Sequence, residues 1–118
     1  MVLRLGRVGK TVVEFDKVVN YGTSATEVLT VDPMKYAPDE ITDWEGYIYF
    51  KELSGNAITV SINKSVTGIE VSATSLSIPA NGSDSFMMVE SVTYNVYISS
   101  TASGLAKVGV RLTFYTSG

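Results

Sequence analysis

Two stretches decide the fold: Val92-Thr93-Tyr94-Asn95-Val96-Tyr97-Ile98-Ser99 and Lys107-Val108-Gly109-Val110-Arg111-Leu112-Thr113-Phe114-Tyr115. In the first, Val92, Tyr94, Val96 and Ile98 alternate with Thr93, Asn95, Tyr97 and Ser99; in the second, Val108, Val110, Leu112 and Phe114 take the apolar positions. Side chains of an extended chain point alternately to opposite faces, so this period of two describes strands with one face in a core and the other in solvent. Working outward, Ile58, Val60 and Ile62 alternate with Thr59, Ser61 and Asn63, and Ile69, Val71 and Ala73 alternate with Glu70, Ser72 and Thr74. Each set reads as a strand with one buried face.

Residues 11–19, 26–31 and 46–53 give further strands, with short pieces at 2–5, 76–78 and 86–90. Turn residues separate them: Asn20-Tyr21-Gly22, Ser54-Gly55-Asn56, Thr67-Gly68, Pro79-Ala80-Asn81-Gly82 and Ser103-Gly104. Eight or nine short strands with regular turn signals predict an all-β fold, a single antiparallel β-sandwich of jelly-roll or immunoglobulin-like topology. Only residues 32–44 depart from this pattern. They carry Pro33, Pro38 and several acids, and they read as a loop holding Trp44, with at most one helical turn at Asp39-Glu40-Ile41.

The 118 residues, 45% hydrophobic, suffice for one core and leave no room for a second domain. Residues 1–10 read as a basic extended arm or edge strand and residues 11–118 as the sandwich. The 26 Ser and Thr and 16 Val, against three Pro, suit pleated surfaces.

The absence of cysteine removes disulfides, thiolate nucleophiles and sulfur-ligated metals, and the absence of histidine removes Ser–His systems and the HExxH site. No enzyme and no cofactor is expected, although a carboxylate pair, a lysine or an oxygen-ligated metal would still be open to such a chain. The net charge is −3 and the nine basic residues are dispersed, so nucleic acid is not an expected partner. No apolar run approaches the ~20 residues that span a bilayer. Arg4 and Arg7 interrupt what would have to be the apolar stretch of a secretory signal, so neither a leader nor a membrane segment is expected.

Gly6-Arg7-Val8-Gly9-Lys10-Thr11 resembles a phosphate-binding loop only superficially. Two residues separate its glycines where four are needed, and a strand follows where a helix must open. Arg4, Arg7 and Lys10, interleaved with Val2, Leu3, Leu5 and Val8, instead form either an arm lying along an acidic surface of a neighbouring subunit or an edge strand blunted by charge.

Asp32, Asp39, Glu40, Asp43 and Glu45 are the main acidic cluster. Asp39, Asp43 and Glu45 are candidate oxygen ligands for a cation, but no Asp-x-Asp-x-Asp-Gly run is present, so a solvated loop is the expected reading and no metal is expected. As a catalytic pair, Asp43 and Glu45 would need a cleft that so short a chain scarcely provides.

Among the seven tyrosines, Tyr47 and Tyr49 share the parity opposite Ile48 and Phe50, while Tyr97 and Tyr115 occupy the polar parity of their strands. All four are expected to point outward. Outward tyrosines serve as cross-strand pairs, as the centre of a protein interface, or, together with Trp44, as stacking platforms for sugars. Asn63-Lys64-Ser65 and Asn81-Gly82-Ser83 match the glycosylation sequon, which means little without a secretory signal.

The run from Ser72 through Ile78-Pro79-Ala80-Asn81-Gly82-Ser83 to Phe86 resembles the opening of bacterial immunoglobulin-like and fibronectin-like surface modules. There a short strand ends at a Pro-containing turn and a Gly-Ser step leads into the next core strand. The chain departs from immunoglobulin domains in lacking the cysteine pair. Its Ser/Thr/Val-rich, His-free, helix-poor character is similar to virion structural proteins of bacteriophages and archaeal viruses, namely decoration, minor capsid and tail or spike subunits. That resemblance implies a non-enzymatic assembly subunit located in the virion. Its partners would be copies of itself or a capsid or tail protein, contacted through the basic arm and one tyrosine-bearing sheet face. The alternative is a carbohydrate-binding or adhesion module at the cell surface.

Overall fold

The computed structural model describes residues 8–117, which form eight strands and one 3-10 turn: β1 (Val8–Tyr21), β2 (Thr26–Val31), the turn (Pro33–Tyr36), β3 (Ile41–Glu52), β4 (Ile58–Val66), β5 (Ile69–Ile78), β6 (Ser83–Met88), β7 (Thr93–Ser100) and β8 (Gly104–Ser117). They make two four-stranded antiparallel sheets, ordered β1-β8-β3-β6 and β2-β7-β4-β5. The chain changes sheet at every connection except the β4–β5 hairpin. Of the two expected topologies this is the jelly roll, since an immunoglobulin domain keeps consecutive hairpins within a sheet.

The two opening stretches are central strands. β7 lies between β2 and β4, and β8 between β1 and β3. A strand with neighbours on both sides has one face in the core and no edge to protect, which is why its alternation is strict. Tyr94, Val96 and Ile98 from β7 and Val108, Val110, Leu112 and Phe114 from β8 are buried with Ile48, Phe50, Val60 and Ile62. Each such aliphatic side chain withdrawn from water contributes about 1.5–3 kcal/mol.

Three expectations are corrected. Residues 69–74 and 76–78 are one strand, β5. The register shifts between Ile62 and Asn63, whose partners are Thr74 and Ser72, so Ala73 is the extra residue of a bulge. A bulge reverses parity; Leu76 and Ile78 therefore share a face with Val71 and Ile69 despite the odd spacing.

The apolar residues at the tip are also not buried. Ser65 pairs with Thr93, the first residue of β7, so the hairpin runs on past its neighbour, and Ile69 is 66% exposed with Val66 and Val71 exposed beside it.

Finally, the helical turn falls at Pro33–Tyr36 rather than at residues 39–41. Asp32 caps it by accepting the Met34 N–H (3.1 Å), and Pro33 at its start has no N–H to satisfy. Ile41 already belongs to β3, and Trp44 is therefore a half-buried strand residue opposite Phe114 rather than a loop residue. The long β8 supplies the partners that draw this segment into the sheet.

One end of the sandwich is closed by a buried carboxylate. Inward positions on β3 run Gly46, Ile48, Phe50 and then Glu52, which is fully buried. Its Oε2 accepts the Tyr21 hydroxyl and the Ser54 N–H, both at 2.7 Å. Its Oε1 accepts the N–H groups of Gly55 (2.7 Å), Asn56 (3.0 Å) and Asn81 (3.0 Å). The Asn56 amide donates in turn to Tyr21 Oη (3.0 Å) and the Ser103 carbonyl (3.3 Å), and Leu105 N–H donates to Ser54 Oγ (2.8 Å). Glu52 thus ties the end of β1 to the β3–β4 and β5–β6 connections, and Asn56 and Ser54 extend the cluster to the β7–β8 connection. Gly104 is required here, because a Cβ would run into the Tyr21 hydroxyl.

Burial opposes ionisation of Glu52, but the Asn81 N–H, the Tyr21 hydroxyl and the Ser54 and Gly55 N–H groups outweigh it and hold the carboxyl down at about 2. The unfolded chain protonates Glu52 near its ordinary 4.5 and the folded one only near 2. Stability present above that ordinary value is therefore lost as the pH falls through the interval. Glu52→Gln turns an amide NH₂ towards N–H donors and is expected to lower the urea midpoint sharply at pH 7. Circular dichroism at successive pH values should show the gap to wild type narrowing below pH 4.5; a gap independent of pH would contradict the assignment.

Candidate interaction site

The outward tyrosines do point outward, but they do not share one face. Tyr47 and Tyr49 on β3 and Tyr115 on β8 lie on the outer face of the β1-β8-β3-β6 sheet, whereas Tyr97 on β7 lies on the outer face of the other sheet. The single tyrosine-bearing surface expected from sequence is thus divided in two.

Three of the four hydroxyls are tied to carboxylates on other strands. Tyr49 reaches across β8 to donate to Glu14 on β1 (3.3 Å), and it passes over Gly109, where any Cβ would collide with the ring. Tyr115 donates to Glu45 on β3 (3.0 Å). Tyr97 reaches across β4 to donate to both oxygens of Glu70 on β5 (2.9 and 3.1 Å). These contacts raise all three phenols: Tyr97 through its bonds to Glu70 and Glu27, Tyr115 through Glu45, and Tyr49 through burial and then the charges of Glu14 and Asp16. The cross-strand reading of these rings therefore has direct geometric support.

Tyr47 differs. Its ladder partners are Arg111 on β8 and Met87 on β6, and among the described residues its hydroxyl has no carboxylate partner. Met87 is 50% exposed and Val89, just beyond β6, is 68% exposed. Tyr47, Met87 and Val89 thus make an apolar rim at the β6 edge.

This rim lies towards the end opposite the Glu52 closure. β6 pairs with β3 only over Gly46–Lys51, so Ile41–Glu45 has β8 on one side and, among the described residues, no strand on the other. The exposed tip of the β4–β5 hairpin lies at the same end, where Lys64 pairs with Glu90 of the β6–β7 connection. β1 also begins here, with Lys10 opposite Tyr115. Arg4 and Arg7 fall outside the described residues.

Asp39, Asp43 and Glu45 do not converge. Asp43 accepts its neighbour Trp44's N–H (2.8 Å), Glu45 is engaged by Tyr115, and among the described residues no group of three acids could hold a metal ion. No described helix is long and apolar enough to cross a membrane.

Sequence reasoning missed Glu52 and the open end. Glu52 was legible in principle, because it continues the inward parity of Ile48 and Phe50 and precedes Ser54-Gly55-Asn56, a turn rich in N–H donors. The open end had no such signal, since it depends on how far each strand outruns its neighbour.

Neither family models nor curated protein sequences match the chain. Among solved structures, the Bacillus endospore appendages that form a family of disulfide-linked pili are similar to it. The TM-score is 0.61 at 15% identity, over 99% of this chain and 97% of that one. The crystal structure of PirA matches at a TM-score of 0.50 and 16% identity, over 86% of this chain and 92% of that one. At these identities the likeness is one of fold, and the strand order makes that fold an all-β jelly-roll sandwich.

Gly109→Ala is expected to lift the Tyr49 ring from the sheet and cost about 1–2 kcal/mol, as overpacking does. In a Tyr49→Ala background the same change should be neutral or stabilising by about 0.5 kcal/mol, because glycine is the poorer strand residue. Urea unfolding of wild type and the three variants gives the coupling, and additivity would show that ring and glycine are independent.

Proposed function

We propose that this chain is a non-enzymatic structural subunit, a virus-particle component of decoration, minor capsid or tail type, that acts by associating with copies of itself or with a capsid or tail protein. The carrying observation is the asymmetry of the sandwich. Its Glu52 end is sealed by a satisfied hydrogen-bond cluster. Among the described residues its other end leaves a β3 edge unpaired and Val66, Ile69, Val71, Met87 and Val89 exposed.

An unpaired strand edge beside uncovered apolar side chains is a template for another chain. β1 begins at this same open end, so copies that exchange residues 1–7 meet open end to open end. Residues 1–7 supply a fitting occupant from a neighbouring copy. Val2, Leu3 and Leu5 offer apolar side chains to the hairpin, and Arg4 and Arg7 offer charge to Asp43 and Glu45 at the rim. Seven extended residues reach about 24 Å, enough to cross the end of a four-stranded sheet. Tyr47 and Lys10 border the same contact. The fold shared with an endospore pilus subunit is in keeping with assembly, although a chain without cysteine must assemble without disulfides.

Light scattering across a concentration series is the direct test. Full-length protein is expected to form higher-order species, and deletion of residues 1–7 or the pair Ile69→Ser and Val89→Ser to weaken association about tenfold or more. A full-length protein that stays monomeric at high concentration, and adds to no larger particle, would refute the proposal.

A further inference from the structure

The outer face of the β1-β8-β3-β6 sheet holds an arrangement that assembly at the open end does not use. Lys51 on β3 and Lys107 on β8 are direct ladder partners, and both point outward. Cβ atoms of such a pair stand about 5 Å apart, and like charges placed there are destabilising. Sheets normally avoid the arrangement or cross it with acids.

Little neutralises it here. Among the described residues the ion pair of Lys107 is with Asp16 at 3.7 Å, between side chains that are 46% and 45% exposed. Such a pair contributes little in water. Lys51 makes no ion pair among the described residues, and its ammonium donates to the Asn81 carbonyl instead.

The two lysines border a hollow of about 480 Å³ whose floor is Tyr49 and whose far wall is Ser83 and Ser85 on β6. Ser83 is the ladder partner of Lys51, and Ser85 that of Tyr49. Neither serine hydroxyl has a hydrogen-bond partner among the described residues. The one carboxylate in the wall, Asp84, accepts the Ser85 N–H through Oδ1 (2.8 Å). The hollow therefore presents two ammonium groups, one carboxylate that is engaged through Oδ1, and two hydroxyls without a partner among the described residues.

We propose that this hollow is an anion-binding site that takes a small oxyanion group, phosphate or carboxylate, between Lys51 and Lys107, with Ser83 and Ser85 donating to its remaining oxygens. Occupancy turns the repulsive pair into a stabilising one, because a dianion or carboxylate between two ammoniums gains charge-assisted hydrogen bonds on both sides. Ammonium groups recognise phosphate and carboxylate alike, and the two sources are separated by experiment.

The full-length protein is titrated with inorganic phosphate, and in a second arm with acetate, at constant ionic strength, while backbone amide shifts are followed by NMR. Saturable shifts at Tyr49, Lys51, Ser83, Ser85 and Lys107 are expected with phosphate. Saturation by acetate as well would identify a carboxylate site, and saturation by phosphate alone a phosphate site. At tenfold excess over its Kd, phosphate should raise Tm by on the order of 5 °C, and Lys107→Gln should abolish that rise. In low-salt chloride, Lys107→Gln should leave Tm unchanged or raise it, since it removes the like-charge pair. Linear shifts without saturation in both arms, or a phosphate response that survives in the Lys51→Gln, Lys107→Gln double variant, would overturn the proposal.

Discussion

The Glu52 carboxylate is the constraint on which the arrangement of the connections depends. A buried charge is tolerated only when it is fully solvated by the protein, and here four backbone N–H groups and one phenol provide that solvation. Those donors come from three separate stretches of chain. None of these connections can shift without leaving a charge or several N–H groups unsatisfied. The tight closure at this end follows from a polar requirement, whereas the middle of the sandwich follows from apolar packing among Ile48, Phe50, Val96, Val110 and Phe114.

Among the described residues the other end has no counterpart to this cluster. Its strands stop at different heights: β6 ends at Met88 while β3 continues back to Ile41, and β4 and β5 run on past Thr93. In a self-sufficient domain such steps are covered by loops. Here they carry valines, an isoleucine and a methionine in water. The tyrosines, which drew attention as interface residues, are for the most part internal ties between strands, and the exposed aliphatic residues have the stronger claim to be contact surface.

Legibility in the sequence followed the local environment of each strand. β7 and β8 could be read because central strands of a two-layer fold obey period two throughout. β5 was split into two because the bulge at Ala73 shifts its parity, and no residue type there announces a bulge. Trp44 was placed in a loop because two prolines and several acids precede it. What overrode that local signal was the length of β8, a tertiary fact. Glu52 lies within the expected strand 46–53 with no role assigned to it, because its burial is decided by partners up to 31 residues away, such as Tyr21. The jelly-roll order was beyond reach for the same reason, since alternation says which face is buried and nothing about which strand lies beside which.

The position of β8 has a consequence for how the molecule is made. β8 pairs with β1 over fourteen residues and with β3 along most of its length, so one whole sheet lacks its centre until residues 104–117 are present. A nascent chain on the ribosome can form the β4–β5 hairpin early, but β1 and β3 must wait with their apolar faces uncovered until residues 104–117 have been made. Folding is therefore dominated by pairings between distant parts of the chain, which are slow to close and expose apolar surface meanwhile.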